Sequence, residues 1–75
     1  MQTFTIVAVF PTREDSLHAA QRLHELDLAT SSLTMPAACM LDVTTNDRDH
    51  ERVREALVQA GALEVTVTPA GSLGH

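Results

Sequence analysis

Apolar and polar residues along this chain follow a period of two, then about 3.6, then two again, and the cycle is run through twice. From Thr3 to Phe10 the period is two: Phe4, Ile6, Ala8 and Phe10 fall on one face of a strand, and Thr3, Thr5, Val7 and Val9 on the other. Pro11 cannot extend a sheet, and Thr12 follows as a candidate N-cap, with Asp15 in the position of a short-armed capping box. A helix is predicted from there to about Leu26, with Leu17, Ala20, Leu23 and Leu26 as its apolar stripe and Ala19 beside it. Ser31 to Met35 reads as a short polar strand, and Pro36-Ala37 as a tight turn. Ala38 to Thr44 is the third predicted strand, with Cys39, Leu41 and Val43 on one side and Met40, Asp42 and Thr44 on the other.

The second helix is the clearest. Asn46 is its expected N-cap, and Asp47, Asp49 and Glu51 suit the positive end of the helix dipole. Val53, Ala56, Leu57 and Ala60 recur at i, i+3, i+4, i+7, and Gly61 suits the C′ position. Leu63, Val65 and Val67 then alternate with Glu64, Thr66 and Thr68 in a last strand that Pro69 ends. Residues 1–69 are expected to form a single domain, with 70–75 as a flexible tail.

Two βαβ halves joined by a hairpin resemble the ferredoxin-like fold over about residues 3 to 68. The resemblance implies an α+β sandwich: a four-stranded antiparallel sheet in the order 4-1-3-2, with both helices on one face. The residues agree with it. The first and third strands are the most apolar, as central strands should be, while Thr30, Ser31, Ser32 and Thr34 give the second strand an edge character. Leu17, Leu23, Val53 and Leu57 are expected to pack against Ile6, Ala8, Leu41 and Val65.

The fold alone names no function, so its known uses are separated by motif. Heavy-metal-associated domains place a Cys-x-x-Cys pair after the first strand, where this chain has Phe10-Pro11-Thr12-Arg13. RNA-recognition domains need aromatic and basic residues on the open sheet face, where this chain has Thr5, Val7, Val9, Met40 and Asp42. Acylphosphatases and amino-acid-binding regulatory domains use a glycine at the first turn that is missing here, and nitrogen-regulatory signalling proteins use a long loop between strands two and three. Met35-Pro36-Ala37-Ala38-Cys39 resembles the proline-to-cysteine stretch of small sulfur or selenium carrier-like proteins, which implies a thiol acceptor at Cys39; Met40 stands where those proteins have glycine.

Charge narrows the partners. Ten carboxylates outnumber five arginines, there is no lysine, and the net charge is −5. Such a surface repels phosphate backbones, and with Phe4 and Phe10 as the only aromatics there is no platform for base stacking. No nucleic-acid or membrane partner is expected, and the absence of a basic leader or a long apolar run suggests a cytoplasmic protein. A single cysteine excludes an internal disulfide.

Candidate chemistry is sparse. Met35, Cys39 and Met40 bring three sulfurs near one turn, a set suited to a soft metal, although the phase of Cys39 points it into the core. Asn46 to Glu51 has alternating oxygen ligands but Arg52 where a calcium loop needs glycine, so it reads as a solvated helix start. His18 and His24 lie on different faces of one helix; with His50 and His75 they read as solvated side chains, and no metal site or cofactor is expected.

The remaining candidate is the open sheet face: Thr3, Thr5, Val7, Val9, Ser32, Thr34, Met40, Asp42, Thr44, Thr66 and Thr68. Its apolar centre and threonine border match the core-and-rim pattern of an interface, and also a solvated antiparallel face. The expected function is therefore a non-enzymatic binding or regulatory module, docking a protein partner or a second copy in a homodimer, through Val7, Val9, Met40 and Thr5 or through an edge strand. The alternative is a thiol-based carrier of sulfur or a soft metal that uses Cys39.

Overall fold

The structure, a computed structural model, describes residues 3–26 and 30–69 of the chain. Its elements are β1 (Thr3–Val9), α1 (Arg13–Glu25), β2 (Thr30–Thr34), β3 (Met40–Asn46), α2 (His50–Gln59) and β4 (Glu64–Pro69). The four strands form one antiparallel sheet in the order β2-β3-β1-β4, which is the expected 4-1-3-2 read from the other edge. The fold is α+β with ferredoxin-like βαββαβ topology. The expected tail, residues 70–75, lies outside the described residues.

The two central strands set the register. Ile6 faces Val43 and Ala8 faces Leu41 across the β1–β3 ladder, and Val67 and Val65 continue both rows onto β4. These residues form the lower wall of the core. Ala19 and Leu23 of α1, with Val53 and Leu57 of α2, close it from above. Both helices therefore cover the same sheet face. Backbone pairing runs past the strand ends: Phe10 N–H donates to the Cys39 carbonyl at 2.8 Å, and Leu63 N–H to the Val9 carbonyl at 2.7 Å.

The helix starts show how side chains decide boundaries. Thr12 caps α1, its Oγ1 accepting from Asp15 N–H at 3.1 Å. The expected stripe of α1 is corrected by about one residue. Ser16, Ala19 and Leu23 are buried and Ala20 packs beside them, whereas Leu17 and Leu26 are 45% and 40% exposed. Ser16 replaces Leu17 because its hydroxyl is satisfied inside. It donates to the Arg13 carbonyl at 2.6 Å and lies 3.1 Å from the Ala38 carbonyl, tying α1 to the turn before β3.

Helix α2 starts later than expected. Asn46 ends β3, and its Oδ1 accepts from Asp49 N–H at 2.9 Å, holding a turn over 47–49 before the helix begins at His50. Only Glu51 of the three acids then lies in the first helical turn. The C-terminus ends as expected. Gly61 adopts φ +101°, its N–H donates to the Val58 carbonyl, and Ala62 N–H reaches back to Leu57, a complete Schellman motif.

Two strand boundaries also shift. The third strand begins at Met40 rather than Ala38, because Met35–Cys39 forms a five-residue connection in which Met40 N–H donates to the Ala37 carbonyl. Leu63 precedes β4 and is 70% exposed, so it contributes nothing to the core.

The corrected stripe gives a paired stability prediction. Leu57→Ala opens a cavity at a fully buried position and should cost about 2–5 kcal/mol, whereas Leu17→Ala should cost only about 0.5 kcal/mol. Urea denaturation midpoints measure both; equal shifts for the two variants would contradict this packing.

Candidate functional site

The sheet face opposite the helices carries no covering element among the described residues. Cross-strand register arranges its side chains in three rows. The first runs Thr44, Thr5 and Thr68; the second Thr34, Asp42, Val7 and Thr66; the third Met40, Val9 and Glu64. Val7 and Val9 of β1 thus adjoin Met40 of β3, as the sequence pattern requires, and Thr5 borders them. All four are half-buried, while Thr34, Glu64, Thr66 and Thr68 at the edges are exposed.

Two members of this face were not legible as a group in the sequence. Asp42 stands in the middle row between Val7 and Thr34, half-buried. Glu64 faces Val9 from β4. Strand alternation puts each on the outer side, but only the register shows that Asp42 stands opposite Val7 and Glu64 opposite Val9. No strand carries a lysine, arginine or histidine.

The two edges are poorly suited to adding a further strand. β2 has five residues and a bulge between Thr30 and Ser32. β4 carries Glu64 at one end and Pro69 at the other. Short edges, bulges, charges and prolines all discourage edge pairing.

The sulfur set is not gathered. Met35 packs against the core, Met40 lies on the open face, and Cys39 sits in the connection before β3, half-buried and outside the buried cluster. The expectation that Cys39 lies in the core is not met: its carbonyl accepts from Phe10 N–H at the end of the ladder, and the residue is half-buried, outside the buried cluster. Among the described residues no three His, Cys, Asp or Glu side chains converge on one point.

His50 departs from the expectation of a solvated histidine. Its ring stacks on Phe4 with centroids 4.1 Å apart and an interplanar angle of 17°, and its Nδ1 lies 2.7 Å from the Asp47 carbonyl. It covers the end of the core face, which is a structural role. His18, Arg22 and Arg52 line a cleft between the helices. Its larger part is about 370 Å³, bounded by His18, Gln21, Arg22 and Glu25 over Ala56, Gln59 and Ala60; Arg52 and Glu55 line a neighbouring part of about 240 Å³. The polar walls are exposed side chains of both charges, so water competes for every group there.

No family model matches this chain, and no curated protein is similar to it. No helix among the described residues is long and apolar enough to cross a membrane.

Two outcomes follow from this geometry. Cys39 should react with a thiol reagent in the native state, more slowly than in urea but without global unfolding; labelling that waits for unfolding would place the thiol in the core. With five arginines held among ten carboxylates and no stacking platform, an oligonucleotide should not be retained in a gel shift at physiological salt, and tight salt-sensitive retention would contradict the electrostatic reading.

Proposed function

We propose that this chain is a non-enzymatic protein-docking module that works through the open face of its sheet. The observation that supports it is the contiguity of Val7, Val9 and Met40 on the two central strands of an uncovered face, toward the end where β1 finishes and β3 begins, with Thr5, Thr34, Thr44, Thr66 and Thr68 around them. Isolated apolar side chains on a surface need no explanation, but an apolar centre with a hydroxyl rim has the organisation of an interface. Covering the centre would return about 25 cal/mol for each Å² of apolar area before association costs. The bulged β2 and the Glu64- and Pro69-bearing β4 favour the face over an edge strand as the docking surface.

Size sets the strength. Three inter-strand gaps and about six residues per strand make a patch of roughly 300 Å², well under half of the area each partner contributes to a standard interface. The docking is accordingly of the transient kind. Self-association is the version of this reading that can be tested with the chain alone. Sedimentation should show weak, concentration-dependent association in the high micromolar range, lost in Val9→Glu. A Val9→Glu variant that associates as well as wild type would count against docking by this face.

A further inference from the structure

We infer that the open face takes a protein partner that brings a lysine or arginine to Asp42, so that at neutral pH its preferred occupant is a different chain rather than a second copy. This rests on the docking reading above. Asp42 is half-buried in mid-strand, with Val7 beside it on β1 and Thr34 on β2, and among the described residues its carboxylate has no hydrogen bond or ion pair. Glu64 stands one row away, opposite Val9. The five arginines lie on α1, on α2 and in the turn between β3 and α2, none on the sheet.

Symmetry favours a foreign partner. A two-fold interface uses the same patch twice. Two copies of a face that holds carboxylates and no cation bury carboxylates with no cation, whatever the angle between the sheets. A carboxylate leaving water needs a charge partner or hydrogen bonds in return. A foreign lysine or arginine supplies it, and such complementarity selects partners as well as holding them.

The chain itself provides the probe. With a two-fold axis along the strands, between β1 and β3, position 42 of one copy lies over Val7 of the other. The two positions 42 then fall on neighbouring strand lines about 5 Å apart, in sheets about 10 Å apart, a gap that a lysine side chain spans. Asp42→Lys thus converts one face into the cation-bearing surface proposed.

Wild type, Asp42→Lys, Asp42→Asn and an equimolar mixture of wild type with Asp42→Lys are compared by sedimentation at neutral pH, with circular dichroism checking each fold. Asp42→Arg serves in place of Asp42→Lys if that variant unfolds. The mixture should associate about tenfold more tightly than wild type alone, and Val9→Glu in either component should abolish the gain. Asp42→Asn alone should also exceed wild type. A mixture no tighter than wild type, with wild type still associating through Val9, overturns the cation requirement and leaves the docking reading standing. No association in any sample overturns both.

Discussion

One layer of two helices can cover only one side of a sheet, and every other property of this protein depends on that contact. Ala19, Leu23, Val53 and Leu57 press onto Ile6, Ala8, Leu41 and Val43, and these residues, with Phe10, are the buried apolar core. The contact fixes the register, because a slip of one residue in β1 or β3 would turn the buried set to the outside. It also leaves the opposite face to be stabilised by strand pairing alone. A chain of this length buries roughly 60% of its unfolded surface, so there is little apolar material to spare for a second layer.

The ends of that core are closed by polar groups used economically. The Ser16 hydroxyl joins α1 to the connection before β3, and Asn46 holds the turn into α2. The His50 ring lies flat on Phe4 where the helix layer runs out. Gly61 reverses the chain after α2 with a positive φ that other residues resist, which lets Leu63 pair with Val9 two residues later. Of these groups the Ser16 hydroxyl is the buried one, and its two carbonyl partners keep it from being buried unpaired.

The uncovered face inherits its character from the same alternation. Whatever is excluded from the core in β1 and β3 must appear outside, and what appears is Val7, Val9, Met40 and threonine, with Asp42 among them. The arginines are confined to the helical side and its turn, so the molecule separates its charges by layer rather than by sequence. The cleft between the helices holds both signs in open water. The charged groups of the sheet face are carboxylates alone, placed by register beside Val7 and Val9.

The sequence by itself determined the elements, their order along the chain and the inner and outer sides of its strands, because periods of two and of about 3.6 are local properties of the chain; the antiparallel sheet was legible only through the resemblance to the ferredoxin-like fold. It also determined the stripe of α2 and its glycine stop. Tertiary structure decided the rest. Whether Ser16 or Leu17 faces the sheet depends on a carbonyl 22 residues away in Ala38. Whether Asn46 caps a helix or a turn depends on where β3 must end to pair with Thr3. That Asp42 lies beside Val7, and Glu64 beside Val9, follows from strand register, which joins residues far apart in the chain. Local patterns record which side a residue faces; only the packed sheet decides which residue stands next to it, and the chemistry of a surface is made by neighbours.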